Sequence, residues 1–361
     1  TLSTIERSKG KNMRSGRFNV VIGAQAGSES KGKLALYLAQ KYKPKGISMA
    51  ASPNAGHTAY KDGRKYVTYH LPVSCIADHG PSVFLGPSSV FLPDKFLQEM
   101  KDNDIDAGRV NIHPRSVIIK ASHIRKEKEE GLLKIGSTNQ GVGEARIEKI
   151  RRSPDVVFMG SVNQFEPMIG DTTRAIHNLL RAGDTVLHEM TQGFDLCLEH
   201  GIDSRYCTSK MIHPAMAMAE AGVSPLLCGD IIGVLRPYPI RVNNRDGSSG
   251  PYAESPEITW DLVRNRCGAP TPLIEMTTTT KLPRRVFEFC WSRMDAFVRT
   301  CGPTQLCLQF ANYVNWSDYG VKDYFLLSGE TKKFIREIEN RYSVPVVYIG
   351  TSEEDMIDRR W

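Results

Sequence analysis

Short apolar runs rich in β-branched residues alternate along this chain with longer segments in which apolar residues recur at helical spacing. Runs that are apolar throughout and separated by helices are typical of strands in a parallel sheet covered on both faces. The strands predicted in this way cover residues 19–25, 83–85, 117–120, 156–159, 185–189, 230–242, 273–276, 305–309 and 344–349. The predicted helices cover residues 33–41, 93–103, 172–182, 214–221, 285–300 and 331–342.

This alternation predicts an α/β fold with a mostly parallel central sheet flanked by helices. No composition shift divides residues 18–361, and we expect them to form a single domain. Two polar stretches, 131–152 and 243–256, are predicted to be long mobile loops beside the active site. Residues 1–17 are polar, basic and without periodicity, so we expect a disordered leader there, or a remnant ahead of a true start at Met13.

The composition narrows the class of protein. A net charge of +7, from 47 basic and 40 acidic residues, suits a small polyanionic ligand. No basic run is interleaved with aromatic residues as in nucleic-acid-binding proteins, and no apolar run approaches the roughly 18 residues that span a bilayer. The eight cysteines form no CxxC pair, which favours buried free thiols. We therefore expect a cytoplasmic protein with neither a nucleic acid nor a membrane as its partner.

Two short runs carry the candidate chemistry. The first, residues 27–33, reads G-S-E-S-K-G-K and lies between the first predicted strand and the first predicted helix. In that setting small residues let backbone N–H groups close around phosphate, and the lysines add positive charge. It is not a Walker A motif, because Leu34 stands where Ser or Thr would follow the lysine. The second run, residues 54–58, reads N-A-G-H-T and places a histidine suited to proton donation on a loop.

The two runs in tandem resemble those of adenylosuccinate synthetases, in which the first reads G-D-E-G-K-G-K and the second N-N-A-G-H-T. Further similarities follow in the same order, from Asn19 to the C-terminal region. They lie at 135–143, Arg152, 189–193, 207–209 and 278–285. The resemblance implies a two-step reaction. The γ-phosphate of a nucleotide is transferred to O6 of a purine monophosphate, and the amine of L-aspartate then displaces that phosphate.

The resemblance also implies a role for each matching residue. His57 is expected to be the general acid toward O6 and the bridging oxygen, Lys31 is expected to stabilise the transferred phosphoryl group, and Ser28 occupies the position of a catalytic aspartate. Mg²⁺ is the expected cofactor, held in part by the Gly56 carbonyl and at the position of Ser28. Family members are homodimers, so we expect a homodimer in which Arg152 acts across the interface.

The substrate-binding residues follow from the same resemblance. Donor-nucleotide binding is expected of Gly27, Ser28, Glu29, Ser30, Lys31, Gly32, Lys33, Gly56, His57, Thr58, Gln309, Asn312 and Gly350. Acceptor-purine binding is expected of Ser28, Asn54, Ala55, Thr138, Arg152, Gln192 and Thr208. Binding of the aspartate substrate is expected of Thr278, Thr279, Thr280, Arg284 and Arg285, and which of the two arginines meets its carboxylates stays open.

Two departures from the family pattern point to a changed substrate. Ser28 replaces the aspartate that takes the N1 proton of IMP, and its smaller, uncharged side chain makes room for the 2-amino group of guanine. Asn312 stands where relatives read the guanine of GTP with an aspartate, and its amide offers the donor and acceptor that an adenine edge needs. Both features resemble a narrower group of bacteriophage enzymes that condense dGMP with L-aspartate, using ATP or dATP, for the synthesis of 2-aminoadenine DNA.

Two other functions stay open at this stage. One is an ordinary synthetase that acts on IMP and tolerates serine at position 28, and the other is a non-catalytic homologue that binds nucleotide without releasing phosphate. The sequence does not decide whether the donor is ATP or dATP, or whether the acceptor contains deoxyribose or ribose. It also leaves open which group replaces the missing aspartate as the proton acceptor. Substrate-assisted proton loss and a water held by Ser28 and Glu29 are the candidates for that group.

Overall fold

The fold is described by a computed structural model that covers residues 16–244, 248–277 and 281–360. Within these ranges the strands are β1 (Phe18–Gly23), β2 (Gly46–Met49), β3 (His57–Lys61), β4 (Arg64–Thr68), β5 (Ser82–Leu85), β6 (Val90–Phe91), β7 (Val110–Ile112), β8 (Val117–Ile118), β9 (Val186–Gly193), β10 (Cys228–Leu235), β11 (Ile240–Arg241), β12 (Glu257–Ile258), β13 (Arg285–Phe287), β14 (Gln305–Leu308), β15 (Val346–Gly350) and β16 (Met356–Asp358). The α-helices are α1 (Lys31–Tyr42), α2 (Pro93–Asp102), α3 (Ala121–Glu129), α4 (Val142–Ile150), α5 (Thr172–Arg181), α6 (Pro214–Ala221), α7 (Trp260–Cys267), α8 (Trp291–Cys301) and α9 (Gly329–Tyr342).

The main sheet has nine strands in the order β16-β15-β14-β10-β1-β9-β2-β5-β7. Every neighbouring pair is parallel except β15 with β16 at the edge, which confirms the predicted α/β fold. β1 lies between β9 and β10, and all six of its residues are buried. After β1 the chain continues to β2, which lies on the same side of β1 as β9, and it forms β10 on the opposite side of β1 only later. The direction in which strands are added to the sheet therefore reverses beside β1. In α/β sheets a binding crevice opens outside the carboxyl ends of the strands at such a reversal.

Hydrophobic cores cover both faces of this sheet. One core contains Leu34 of α1 and Phe96 of α2, and the other contains Phe297 of α8 and Ile335 of α9. Val21 of β1 belongs to the first core, whereas the residues on either side of it belong to the second. This alternation is expected for a strand that is buried on both faces, and it holds the loop after β1 in a fixed position.

Several predicted elements differ from the structure for identifiable reasons. The single strand predicted at 230–242 is wrong, because Pro237 and Pro239 lack the N–H groups that a sheet interior requires and separate β10 from β11. The helix predicted at 285–300 begins only at Trp291, and its first residues form β13, which pairs with β11 and β12. The strands predicted at 156–159 and 273–276 are wrong, since these segments contain only isolated bridges, at Phe158 and at Met276.

The loop predicted over residues 131–152 is also wrong. A short 3₁₀ turn at Leu132–Ile135 and helix α4 occupy it. The buried carboxylate of Glu127 holds the start of α4 by accepting hydrogen bonds from the backbone N–H groups of Gly141 at 2.7 Å and Gly143 at 2.9 Å. The sequence pattern also misses β2, the hairpin of β3 and β4, and the helices α3 and α7.

Some expectations fall partly outside the described residues. Residues 1–15 and 245–247 are among these, so the leader at 1–17 and the mobile loop at 243–256 stay predictions. None of the helices in the described ranges combines the length and the hydrophobicity needed to cross a bilayer. None of the eight cysteines, all within the described ranges, forms a disulfide; six are buried as expected, whereas Cys207 and Cys228 are partly exposed.

Candidate active site

Two clefts open at the carboxyl ends of the central strands. The central cleft has a volume of about 280 Å³ and is lined mainly by residues of the loops after β1, β2 and β9. The side cleft has a volume of about 230 Å³ and is lined mainly by residues that follow β14 and β15. Ser30, Thr58 and Phe310 line both clefts, so two ligands bound in them would lie side by side.

The loop between β1 and α1 is closed on itself by the carboxylate of Glu29, which has no exposed surface. This carboxylate accepts hydrogen bonds from the backbone N–H groups of Gln25 at 3.2 Å and Gly27 at 2.7 Å. It also accepts a hydrogen bond from Nζ of Lys31 at 2.8 Å. Glu29 therefore fixes the shape of the loop from inside, and Gly27, Ser28 and Ser30 of the loop line the central cleft.

The close approach of β9 to this loop depends on a glycine. A Cβ on Gly193, the last residue of β9, would lie 2.1 Å from the carbonyl oxygen of Gln25. Ser28 and Ser30 adopt left-handed conformations with φ of 59° and 61°, which in residues other than glycine are concentrated at functional sites. Helix α1 begins directly afterwards at Lys31, and its N-terminus borders both clefts. That end of a helix favours phosphate.

Lys33 extends from α1 into the side cleft. Its Nζ donates hydrogen bonds to the carbonyl oxygens of Ser352 at 2.6 Å and Asp355 at 2.8 Å. Burial lowers the pKa of Lys33 from 10.5 to about 8, and neighbouring acidic residues oppose the shift only in part. The side chain is therefore charged below pH 8 and loses its proton as the pH rises above it.

We expect the kcat/KM for the nucleotide donor to fall as the pH rises through about 8. The reason is that neutral Lys33 no longer attracts phosphate, and kcat/KM reports the protonation of the free enzyme. The K33R variant keeps its charge to about pH 12, so its kcat/KM should stay level over the same range. Identical profiles for the two proteins would show that another group controls donor binding.

His57 stands at the start of β3 and lines the central cleft. Its Nδ1 lies 2.8 Å from Oε1 of Glu189, a residue of β9 with no exposed surface. The other oxygen of that carboxylate accepts a hydrogen bond from the Ser74 hydroxyl at 2.9 Å. With a proton on Nδ1 directed at Glu189, the ring keeps Nε2 for a ligand, and Nε2 has no hydrogen-bond partner within the described residues. Glu189 therefore fixes the orientation of the His57 ring.

Arg284 faces the central cleft, whereas its neighbour Arg285 does not. Nη1 of Arg284 donates a hydrogen bond to the Ser28 hydroxyl, and its Nε lies 3.8 Å from Oε2 of Glu275. Arg285 belongs to β13 and donates from Nη2 to Glu257 Oε2 at 2.6 Å. Of the two candidates, Arg284 is the one placed to meet a ligand carboxylate.

Three residues of this site, Glu189, Arg236 and Glu275, have no role assigned from the sequence. The side chain of Arg236 is fully buried and forms a bidentate pair with Glu275. Burial opposes ionisation of Glu275, but the charges of Arg236 and Arg284 and the hydrogen bonds from Arg236 and Tyr313 lower its pKa below the usual value. Charged residues inside or at the end of apolar strands were the available signal for Glu189 and Arg236. Glu275 lies in a loop without such a signal.

Most of the predicted substrate-binding residues line one of the two clefts. Those in the central cleft are Gly27, Ser28, Ser30, Lys31, Gly32, Asn54, Ala55, Gly56, His57, Thr58, Thr138, Gln192 and Arg284. Those in the side cleft are Ser30, Lys33, Thr58, Gln309 and Asn312. The structure therefore brings the phosphate loop and the N-A-G-H-T run together in one cleft, which Gln192 and Arg284 also line.

The other predicted residues lie behind or outside the clefts. Gly350 packs behind Gln309, whose Oε1 would be 1.8 Å from a Cβ at position 350. Arg152 is exposed just after α4. Thr208 donates its backbone N–H to the carbonyl oxygen of Leu196, a wall residue of the central cleft, at 2.8 Å. Outside the described residues are Thr278, Thr279 and Thr280.

The chemistry of the site follows from these neighbours. The loop at the start of α1, the oriented side chain of His57 and Arg284 surround one cleft, and a second cleft shares a wall with it. Phosphoryl transfer needs positioning and charge stabilisation more than covalent chemistry from the protein, and this arrangement supplies both. Arg284 adds a binding point for a carboxylate. The fold and the site define an enzyme that uses a nucleotide to activate an acceptor.

Comparison with known proteins identifies the family. The family model for adenylosuccinate synthetase matches residues 20–157 and 157–319, and the chain belongs to that family. It is 33% identical over 312 residues to the N6-succino-2-amino-2′-deoxyadenylate synthase of Vibrio phage phiVC8, spanning 83% of this chain and 88% of that protein. It is also 33% identical over 353 residues to the adenylosuccinate synthetase of Thermococcus onnurineus, spanning 94% of this chain and 98% of that protein.

A solved structure supports the same relationship. The succinoaminodeoxyadenylate synthetase of cyanophage S-2L, bound to dGMP and to dATP as an energy donor, superposes with a TM-score of 0.80. Its sequence identity is 30%, and the match covers 95% of each chain. The protein is thus a nucleotide-dependent ligase that joins a purine nucleotide to aspartate. The phage and the archaeal relatives are equally similar to this chain, so overall similarity does not identify its acceptor purine.

Proposed function

We propose that this protein condenses dGMP with L-aspartate, at the expense of ATP or dATP, to give N6-succino-2-amino-2′-deoxyadenylate. The observation that carries the proposal is Ser28, an uncharged hydroxyl in the central cleft at the family position of a carboxylate. Guanine differs from hypoxanthine by a 2-amino group beside N1, and the small side chain leaves space for that group. The product would serve the synthesis of 2-aminoadenine DNA by a bacteriophage, in the cytoplasm of its host.

In the first step, O6 of dGMP attacks the γ-phosphorus of the donor. The bond from that phosphorus to the bridging oxygen breaks, the O6–phosphorus bond forms, and the N1 proton is lost to solvent. Lys31 and the loop backbone stabilise the charge that spreads over the phosphoryl group. His57 directs Nε2 at the reacting oxygens and holds a proton there.

In the second step, the amine of L-aspartate attacks C6 of the purine. The C6–N bond forms, the C6–O6 bond breaks, and phosphate leaves with O6 while the amine loses a proton. His57 stabilises the leaving phosphate by proton donation. Arg284 binds a carboxylate of the aspartate through its planar pair of N–H groups, and the Ser28 hydroxyl that it contacts is neutral and does not compete as a carboxylate would.

Mg²⁺, which enzymes of this family generally use, fits the oxygen donors of the central cleft. Gly56 and Ser28 line that cleft and offer a carbonyl and a hydroxyl. The described residues contain no cluster of three His, Cys, Asp or Glu side chains that could hold a metal alone. Such a donor set suits magnesium, which is commonly held by few protein ligands together with nucleotide phosphates. When bound, the ion neutralises charge on the donor phosphates.

The side cleft is assigned to the donor base. Its walls carry the amides of Gln309 and Asn312 and the aromatic rings of Phe310, Tyr313 and Trp316. An amide side chain offers both a donor and an acceptor, as an adenine edge requires, and rings provide stacking surface. This favours ATP or dATP as the donor.

We also propose a homodimer in which Arg152 reaches the 5′-phosphate of the nucleotide in the partner's central cleft. Ile147 and Ile150 share one face of α4, just before Arg152, and are 37% and 77% exposed. Apolar side chains in this position, next to an exposed arginine, suit a contact with a second copy of the chain.

The acceptor is tested by phosphate release with ATP, Mg²⁺ and L-aspartate, comparing dGMP with IMP. We expect the kcat/KM for dGMP to exceed that for IMP by at least about tenfold, a difference of ~1.4 kcal/mol in transition-state binding. Turnover with IMP alone would identify an ordinary adenylosuccinate synthetase. Nucleotide binding without phosphate release from either acceptor would identify a non-catalytic homologue.

A further inference from the structure

Arg236 is the largest fully buried side chain in the described part of the protein. It follows β10 directly, and its backbone is held by the side-chain amide of Gln25. Arg236 N–H donates to Gln25 Oε1 at 3.0 Å, and Gln25 Nε2 donates to the Arg236 carbonyl oxygen at 3.0 Å. The guanidinium donates from both terminal nitrogens to Glu275, with Nη1 lying 3.1 Å from Oε2. This pairing is needed because an unpaired buried charge is strongly unfavourable.

The remaining contacts of this guanidinium reach residues of both clefts. Nη1 also donates to the carbonyl oxygen of Ser28, in the phosphate loop, at 3.1 Å. The carbon Cζ lies 4.2 Å from the centre of the Phe310 ring, which is part of the wall between the clefts. Arg236 itself lines neither cleft. Arg236 therefore contacts residues that line the central and the side cleft, although it lies behind the walls of both.

Glu275 continues these contacts to the expected aspartate subsite. It lines the central cleft, and its Oε2 lies 3.8 Å from Nε of Arg284. Arg284 in turn donates to the Ser28 hydroxyl. An unbroken series of contacts thus runs from Phe310 through Arg236 and Glu275 to Arg284.

We propose that Arg236 is a positioning residue that couples binding of the donor base in the side cleft to binding of a dicarboxylate in the central cleft. A base in the side cleft packs against Phe310 and fixes the plane of its ring. The ring fixes the guanidinium of Arg236, which fixes Glu275 and, through it, Arg284. The inference rests on the proposed function in one respect, the placement of the donor base and the aspartate in these two clefts.

An arginine is required for this role by its shape. A planar guanidinium stacks on an aromatic ring while it forms parallel hydrogen bonds to a carboxylate, whereas a lysine ammonium is a point charge. A buried ion pair is by itself weak evidence for stabilisation, because the desolvation of both groups offsets their attraction. A position between two ligand subsites explains Arg236 and Glu275 better than a gain in stability does.

The test is a measurement of the coupling itself. Calorimetric titration gives the Kd of succinate, a dicarboxylate without the reactive amine, in the presence of dGMP and with or without a non-hydrolysable ATP analogue. The ratio of the two Kd values is the coupling factor, which in coupled systems is about 5 to 150. We expect at least about fivefold for the wild type and a ratio near one for R236K and for F310L. By reciprocity, succinate should change the Kd of the analogue by the same factor.

Arg293→Lys is the matched control for these variants. Arg293 also pairs with a buried carboxylate, with Nε 2.8 Å from Asp195 Oδ1, and its Cζ lies 5.3 Å from the centre of the Phe194 ring. It lines neither cleft, so R293K should keep the wild-type coupling factor even where it lowers stability.

A wild-type coupling factor of one with both dGMP and IMP overturns the proposal, and so do factors for R236K and F310L that equal that of R293K. If R236K does not fold, F310L and E275Q carry the test, since E275Q removes the charge of the carboxylate with little change of shape. Repeating the titrations with IMP in place of dGMP separates the two proposals. Coupling that appears with IMP alone removes dGMP as the acceptor and leaves the role of Arg236 standing.

Discussion

Replacing Ser28 with aspartate is expected to lower the kcat/KM for dGMP by about a hundredfold, equivalent to ~2.7 kcal/mol of transition-state binding. The larger side chain fills the space that the 2-amino group of guanine would occupy. Relative activity toward IMP should rise, because IMP lacks that group. The measurement is phosphate release with each acceptor at saturating ATP and L-aspartate.

The same variant should raise the KM for L-aspartate. Arg284 already donates to the hydroxyl of Ser28, and a carboxylate in that place would form an ion pair with it. The substrate carboxylate would then have to compete for the guanidinium. S28N is the matched control, since asparagine has the size of aspartate without its charge. It should lose dGMP activity as S28D does but keep the wild-type KM for L-aspartate. An unchanged preference between dGMP and IMP in S28D would contradict the assignment of Ser28.

The second large effect is expected at His57. Replacement by asparagine should reduce kcat by about 10²- to 10⁴-fold, the usual contribution of a positioned general acid. Its Nε2 has no other partner among the residues described, and the backbone of β3 is fixed by its pairing with β4. Nucleotide binding should therefore persist. The measurement is single-turnover phosphate transfer together with the Kd of the donor.

A second buried pair of the same kind provides the control for His57. His70 Nδ1 lies 3.1 Å from Glu99 Oε2, fully inside the protein and away from both clefts. The variant H70N should lower the free energy of unfolding without lowering the kcat of the folded enzyme. The kcat of the variant E189Q should lie between those of H57N and H70N. Glutamine can donate a hydrogen bond to Nδ1 of His57 and so stabilise the wrong tautomer of the imidazole. Equal losses of kcat in H57N and H70N would mean that His57 acts only through stability.

Contiguous motifs are the part of this site that the sequence predicts well. The phosphate loop and the N-A-G-H-T run are short, follow apolar strands and bring their functional groups together by local geometry alone. Arg236 and Ser28 are 208 positions apart, and their contact depends on the pairing of β1 with β10. No local pattern encodes such a contact. For that reason Arg236, Glu189 and Glu275 emerge only from the structure.

The choice between Arg284 and Arg285 shows the same limit in one place. Arg285 is the first residue of β13 and faces away from the central cleft, whereas Arg284 lies just before the strand and faces the cleft. Which one does so depends on the register of β13 against β11 and β12. The start of α4 is a second case, because it depends on the distant carboxylate of Glu127. In both cases tertiary contacts decide what local spacing leaves open.

The central place of β1 has a consequence for the synthesis of the protein. β1 is synthesised before its partners β9 and β10, which come far later in the chain. At ~5–20 residues per second, the roughly 160 residues between β1 and β9 take on the order of ten to thirty seconds to translate. During that interval an apolar strand of six residues has no neighbour to pair with, and such edges invite aggregation. Binding of nascent chains by a chaperone should therefore matter most before β9, which ends at Gly193, has left the ribosome.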